Sequence, residues 1–252
     1  MAHATAVLHE GEHEDTTTGL SHRKLLVWAF LGSDCMFFGS FIATYLVYQG
    51  KSKVGPFPED VFSIPVTSVS TFVLLMSSMS MVLAYSALTR GSVKGFRIWL
   101  LSTVMLGMTF LAFQVFEFRD FANHELEFHC SEVDLGAGAI VADDHTLTGF
   151  QRGQLREQCE AGNEEAVVDH GLTPRTNLFG TTFFTLTGFH GAHVTLGVIW
   201  LLSLFFYSFK KGGATPQRGL DVDLAALYWH FVDVVWIVIF TVVYLFGVFP
   251  GI

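Results

Sequence analysis

The stretch LAALYWHFVDVVWIVIFTVVYLFGV, residues 224–248, decides the fold class of this chain. It contains 25 residues, and about 20 predominantly apolar residues are enough for a helix to cross a bilayer. Its only side chains that ionise near neutral pH are His230 and Asp233, which are three positions apart and therefore share one side of a helix. Because charge is costly inside lipid, the pair indicates a polar contact within a membrane protein.

The composition of the whole chain supports this interpretation. Of the 252 residues, 51% are hydrophobic and 15% are charged, whereas soluble domains carry about 25% charged residues. The formal net charge of −9 does not describe an acidic soluble surface, because 11 of the 23 acidic residues belong to a single segment. The sequence therefore predicts an all-α, polytopic membrane protein, and we expect no nucleic-acid partner.

Five segments are long and apolar enough to be membrane-spanning helices. They are Leu25–Tyr48, Val66–Leu88, Phe96–Phe118, Asn177–Phe209 and Leu224–Val248. Basic residues favour the cytoplasmic face of a membrane, and three basic clusters fall on one side of these spans. This pattern predicts a cytoplasmic N-terminus and a C-terminus outside. The predicted organisation is a flexible tail (1–22), three helices (23–120), an extracytoplasmic acidic insert (121–176) and two more helices (177–252).

The insert is the one hydrophilic element between spans. Residues 121–172 hold eleven acidic side chains against Arg152 and Arg156, and they include Cys130 and Cys159. On the oxidising side of a membrane these cysteines can form a disulfide, and two unpaired thiols in a disordered loop are the alternative. The negative field could steer a basic protein partner. Alternatively, the insert only covers the outer surface of a complex.

A small set of ionisable residues lies within the predicted spans. They are Asp34, Glu117, His190, His193, His230 and Asp233, and Ser33 stands beside the first of them. A metal or haem site is one interpretation, but the repeated Glu-x-x-His of helical-bundle metal sites is missing. A transporter or proton relay is a second, although no inverted repeat or broken helix accompanies it. The third is structural: polar groups join helices and hold lipid or a partner subunit.

Four segments resemble one known family. YWHFVDVVW (228–236) and FGTTFFTLTGFHGAHVTLG (179–197) are similar to the most specific motifs of subunit III of the haem–copper oxidases, and of cytochrome c oxidase in particular. LGSDCMFFGSFIATY (31–45) resembles the family segment with a buried carboxylate, here Asp34, and FQVFEF (113–118) resembles a Glu-containing helix end. The chain lacks the first two of the seven helices of mitochondrial members, as do many bacterial members. The insert has no counterpart in the resemblance, and in a subunit of this kind its negative field could steer cytochrome c or another respiratory complex.

The resemblance implies a role without a redox centre. Subunit III binds no metal; haem and copper belong to partner subunits. The resemblance implies direct packing on subunit I, association with subunit II and other oxidase subunits, bound phospholipid, and support of proton uptake and turnover stability. It places the chain in a bacterial cytoplasmic membrane. We expect His230 and Asp233 to form an interface pair with His190 or His193, and we expect Arg90, Lys94 and Arg97 to attract lipid headgroups.

The electron donor is the remaining choice. The histidine motifs are more similar to the cytochrome c branch, which predicts an aa3-type, proton-pumping cytochrome c oxidase, whereas Ser33-Asp34-Cys35 is similar to the quinol-oxidising branch. A subunit attached to a nitric oxide reductase is a minor alternative. A stand-alone membrane metalloenzyme or transporter is the contrasting class, and it would carry its own metal or transport path.

Overall fold

The structure is a computed structural model, and it describes most of the chain outside the N-terminal tail and part of the insert. The described residues are 21–51, 62–123, 125–130, 149–162, 165–169, 171–175, 177–210, 213, 215 and 219–248. The predicted tail therefore lies almost entirely outside the described residues, as does a large part of the predicted insert. The domain boundaries proposed from the sequence remain predictions.

Five helices in the described part of the chain are long and apolar enough to cross a membrane, as the sequence predicts. They are α1 (His22–Tyr48), α2 (Ile64–Thr89), α3 (Val93–Ala122), α5 (Leu178–Tyr207) and α6 (Gly219–Ile239). Helix α6 continues as a π-helix (Phe240–Leu245) and a short helix α7 (Phe246–Val248). The five-helix membrane fold is confirmed, while the predicted direction of the chain across the membrane remains a prediction.

Side chains at several helix starts satisfy backbone N–H groups that have no partner within the helix. The Asn177 side chain accepts a hydrogen bond from the Gly180 N–H at 2.7 Å, at the start of α5. Ser21 and Ser92 accept similar bonds at the starts of α1 and α3, each at 3.4 Å. These polar residues set where the helices begin, and the apolar sequence that follows sets how far they run.

The described part of the insert has structure of its own. A helix α4 (Gly149–Glu160) lies between strands β1 (Glu125–His129) and β2 (Glu165–Asp169), which pair in antiparallel fashion. A disulfide joins Cys130 to Cys159, whose Cα atoms are 5.4 Å apart. The two strands are an addition to the sequence prediction, which assigned no secondary structure to the insert.

The ends of the insert meet at the helical bundle. The Leu172 N–H donates to the Phe121 carbonyl at 2.7 Å, and both side chains are buried. The Leu172 side chain and the Thr173 carbonyl pack against Gly180, at the start of α5. The insert therefore leaves and rejoins the membrane part of the chain at one place.

Helix α6 is central in the bundle. It packs on α1, α2 and α5, while α3 packs on α2 and α5. Trp229 and Trp236 of α6 are each 1% exposed and are among the largest fully buried side chains. This arrangement brings the polar residues of α6 against three neighbouring helices.

Helix α1 lies at the periphery, and it is fastened to the α6 segment at both ends. At one end Arg23 pairs with Asp221 at 3.0 Å and Lys24 with Asp223 at 2.6 Å. At the other end the Tyr45 hydroxyl donates to the Val243 carbonyl at 3.4 Å, and the Gln49 amide donates to the Phe246 carbonyl at 3.2 Å. Between these ends, a groove with a volume of about 380 Å³ lies between α1 and α6.

Candidate functional site in the membrane interior

A row of hydroxyl groups on α2 provides many of the polar contacts of the bundle interior. The Trp236 indole N–H donates to the Thr71 hydroxyl, and the Trp229 indole N–H donates to the Ser77 hydroxyl, both at 3.0 Å. One turn further along α2, the Ser80 hydroxyl lies 2.8 Å from the Thr103 hydroxyl of α3. Because lipid offers no hydrogen bonds, such contacts favour one packing arrangement of the helices.

The α2–α6 cluster consists of Ser78, His230 and Asp233. The Ser78 hydroxyl lies 2.5 Å from His230 Nδ1, and the hydroxyl donates or accepts this hydrogen bond according to the tautomer of His230. Asp233 is only 3% exposed, and neither of its carboxylate oxygens completes a hydrogen bond within the described residues. The structure thus places Ser78 of α2 beside His230, rather than His190 or His193 of α5 as expected from the sequence.

The α1–α5 pair consists of Asp34 and His193. His193 Nδ1 lies 2.8 Å from the Phe189 carbonyl, so Nδ1 must carry a proton. His193 Nε2 faces Asp34 Oδ2 at 3.5 Å, within ion-pair distance, although this oxygen completes no hydrogen bond within the described residues. The Tyr228 hydroxyl donates to the His193 carbonyl at 3.0 Å. Both side chains of the pair are partly exposed at the periphery of the bundle, 14% for Asp34 and 16% for His193.

Glu117 forms a separate contact near the end of α3. The Thr67 hydroxyl donates to the Glu117 carboxylate at 2.5 Å, and both residues are buried. Glu117 therefore links α2 to α3. Ser33 joins neither contact: it is exposed, and its hydroxyl donates to the Phe30 carbonyl of its own helix at 2.7 Å.

His190 occupies the centre of the bundle. It is fully buried, its ring stacks on Trp236 with centroids 4.9 Å apart, and the Phe110 ring lies edge-on at 6.1 Å. Neither ring nitrogen of His190, nor the side-chain amide of Gln114 on α3, has a hydrogen-bond partner in the described part of the chain. The predicted set of polar residues is thus divided into several contacts rather than one network.

The predicted headgroup residues differ in their surroundings. Arg90 and Lys94 are exposed around the α2–α3 turn. Arg97 is instead engaged within the protein: its guanidinium donates to the Ser208 hydroxyl at 3.1 Å and to the Ser208 carbonyl, and it lies 4.3 Å from the Phe209 ring centroid. Arg97 therefore stabilises the end of α5.

Sequence reasoning missed the partners that complete these contacts. They are Thr67, Thr71, Ser77 and Ser78 of α2 and the two tryptophans of α6. One available signal was the run of hydroxyl residues along α2, since an apolar helix crossing lipid gains nothing from hydroxyls that face the hydrocarbon. A second was the pair of tryptophans seven residues apart, because a buried indole N–H requires an acceptor.

The arrangement defines a class of protein: a multi-pass helical membrane protein whose interior polar groups mainly connect helices. In the described ranges, no group of three or more His, Cys, Asp or Glu side chains could hold a metal ion. A family model described as cytochrome c oxidase subunit III matches residues 165–248, which include α5 and α6.

Similar proteins extend this match over nearly the whole chain. Cytochrome c oxidase subunit 3 of Alkalihalophilus pseudofirmus is 32% identical, covering 94% of this chain and 93% of its own length. Quinol oxidase subunit 3 of Bacillus spizizenii is 32% identical, covering 87% and 85%. Cytochrome bo(3) ubiquinol oxidase subunit 3 of Pseudomonas putida is also 32% identical, covering 88% and 84%. The chain belongs to the cytochrome c oxidase subunit III family, a family of haem–copper oxidase subunits, and the resemblance read from the motifs is confirmed.

Proposed function

We propose that this chain is the accessory subunit III of a proton-pumping, aa3-type cytochrome c oxidase in a bacterial cytoplasmic membrane, with its N-terminus in the cytoplasm. In this proposal it packs directly on subunit I, which carries haem and copper together with subunit II, and it has no redox centre of its own. The observation that supports the proposal is that several intramembrane polar residues form contacts between helices. Ser78–His230, Thr67–Glu117 and Asp34–His193 each connect two helices, as expected of a subunit that holds a shape rather than performs electron transfer.

Proton uptake and turnover stability are assigned to the α1–α5 pair. Asp34 Oδ2 and His193 Nε2 face each other at 3.5 Å, and both residues are partly exposed on the peripheral side of the bundle. A side chain that exchanges protons with a neighbouring proton path must be ionisable and must also be accessible from that path. The buried Glu117, by contrast, is enclosed between α2 and α3.

Phospholipid binding is assigned to the groove between α1 and α6. It is lined mainly by apolar side chains, among them Trp28, Leu31 and Phe231, which suit an acyl chain. Of the predicted headgroup residues, Arg90 and Lys94 are exposed, whereas Arg97 is held by Ser208. Native mass spectrometry of the complex after mild detergent exchange should detect retained phospholipid. A subunit that is free of lipid yet sustains long turnover would contradict this assignment.

Quinol oxidation is the second candidate function. Relatives named as quinol oxidase subunits are as similar to this chain as one named for cytochrome c oxidase, at 32% identity each. The acidic insert, held by the Cys130–Cys159 disulfide, favours the cytochrome c branch because a negative surface attracts a basic protein donor.

One purification tests both candidates. An affinity tag on this chain should co-purify subunits I and II, and subunit II should contain a dinuclear copper motif. The complex should consume oxygen with reduced cytochrome c as donor. Oxidation of quinol alone by a complex without that motif would favour the second candidate. Stoichiometric iron or copper on the isolated chain would contradict both and would favour a stand-alone metalloenzyme.

A complex prepared without this chain tests its accessory role. It should retain haem and copper and begin turnover at a comparable rate, but it should lose activity sooner during sustained turnover. Immediate loss of the metal centres would contradict an accessory role.

A further inference from the structure

Three polar side chains in the middle of the bundle are buried without hydrogen-bond partners. His190 is fully buried on α5, Gln114 of α3 is 6% exposed, and Asp233 of α6 is 3% exposed. Six of their polar atoms could donate or accept, and none has a hydrogen-bond partner among the residues that the structure describes. Leaving a buried polar group unpaired is destabilising, so three such residues in one region require a physical explanation.

The positions of the three residues can be related through the aromatic contacts of His190. The rings of Phe110 and Trp236 are 4.9 Å apart, and both contact the His190 ring. Gln114 follows Phe110 by one helical turn on α3, and Asp233 precedes Trp236 by about one turn on α6. A helical turn rises about 5.4 Å. Two hydrogen bonds of about 2.8 Å that share one water oxygen span a similar distance, so one water can join groups that are one turn apart.

We propose that internal water binds in the core of the five-helix bundle, where it hydrogen-bonds His190 and links it to Gln114 on one side and Asp233 on the other. Buried water typically makes about three hydrogen bonds to otherwise unpaired polar groups, which matches the donors and acceptors that these residues offer. This site is distinct from the α1–α5 pair at the periphery, and it does not depend on the identity of the electron donor.

The level of the core around Trp229 differs, because its side chains are closely packed and the indole N–H is already paired. Trp229 lies between Gly107 and Gly197, where a Cβ atom built on either glycine would approach the indole ring to within 2.9 Å. Its N–H is already satisfied by Ser77. The proposed water therefore occupies one level of the bundle, around Trp236 and His190, and not the tightly packed level of Trp229.

Hydroxyl-radical footprinting of the intact complex tests the proposal. Radicals formed from water by X-rays modify only the side chains that the water touches, so a buried ring is modified only beside internal water. Phe110 and Phe96, both on α3 and exposed by 1% and 2%, form a matched pair. We expect Phe110 to be modified severalfold faster than Phe96. Equal, background-level modification of both would overturn the proposal.

A double variant provides the second measurement. The combined changes His190→Phe and Gln114→Leu remove two of the three polar partners of the water and leave only Asp233, so the modification rate of Phe110 should fall towards that of Phe96 while the rate of Phe96 is unchanged. Retention of fast Phe110 modification in this variant would show that other water, not the proposed site, reaches the ring. If the double variant does not assemble, the Phe110 to Phe96 ratio in the unmodified complex still decides the question.

Discussion

Adding one methyl group at Gly197 should destabilise the bundle through Trp229. A Cβ atom at this position would lie 2.9 Å from both Cε3 and Cζ3 of the indole and 3.2 Å from Cε1 of Tyr228. Carbon atoms in good contact are about 3.5–4.0 Å apart, so the ring would have to move by about 0.6 Å or more. It has little freedom to do so, because Gly107 borders its other edge and Ser77 holds its N–H.

The magnitude follows from two opposing contributions. Overpacking a core typically costs about 1–3 kcal/mol, whereas replacing glycine by alanine within a helix gains about 1 kcal/mol. Gly188→Ala, in the same helix, provides the control, since a Cβ atom there meets nothing within 4 Å. The helix contribution is common to both variants. The difference between Gly197→Ala and Gly188→Ala should therefore be about 1–3 kcal/mol.

The assay is the thermal midpoint at which this subunit is released from the purified complex. Gly197→Ala should lower the midpoint relative to Gly188→Ala, and Gly39→Ala on α1, which also faces open space, serves as a second control. Trp229→Phe should restore part of the loss in the Gly197→Ala background, because the smaller ring vacates the contact. Equal midpoints for Gly197→Ala and both controls, with no effect of Trp229→Phe, would refute this packing argument.

Three further predictions concern other parts of the molecule. Asp34→Asn should assemble normally but modestly alter proton uptake or turnover lifetime, because an amide replaces the carboxylate that faces His193; a variant indistinguishable in both assays would leave the pair without a role. Trp236→Phe should lower stability by about 0.5–1.5 kcal/mol through loss of the bond to Thr71, and adding Thr71→Val should cause less than an additive further loss; full additivity would argue against the bond. Replacing residues 124–170 by a short glycine linker, which keeps the buried Phe121 and Leu172, should slow association with cytochrome c at low salt and spare it at high salt. An unchanged low-salt rate would leave the insert with a covering role only, and Cys130→Ser should loosen the insert without affecting the five helices.

The number of membrane helices could be predicted from the sequence because length and apolar character alone determine whether a helix can span lipid. The predicted spans overlap the helices throughout, although α3 extends to Ala122, beyond the predicted end at Phe118. This extension includes Arg119 and Asp120, whose charge ends a hydropathy window but does not end a helix. Direction across the membrane remains a prediction from the basic clusters.

The partners of the polar residues could not be predicted in the same way. Helical spacing shows that His230 and Asp233 share a side of α6, but it does not show which neighbouring helix lies there. The sequence favoured α5, which carries two histidines, whereas α2 supplies Ser78. For Arg97 the sequence indicated charge near the membrane surface, and only the three-dimensional arrangement brings Ser208 within reach. Pairings of this kind depend on helix rotation and order, which local patterns do not encode.

The contacts that attach α1 to α6 and α7 have a consequence for biogenesis. Arg23 and Asp221 are separated by 198 positions in sequence, and Gln49 and Phe246 by 197. Helix α1 therefore cannot form either attachment until α6 and α7, which follow it in the chain, have been synthesised and inserted. Until then, its inward-facing Leu31, Phe38 and Tyr45 lack their full set of neighbours. A truncated nascent product would display this unsatisfied helix within the membrane, where membrane chaperones and proteases can distinguish it from a completed subunit before assembly begins.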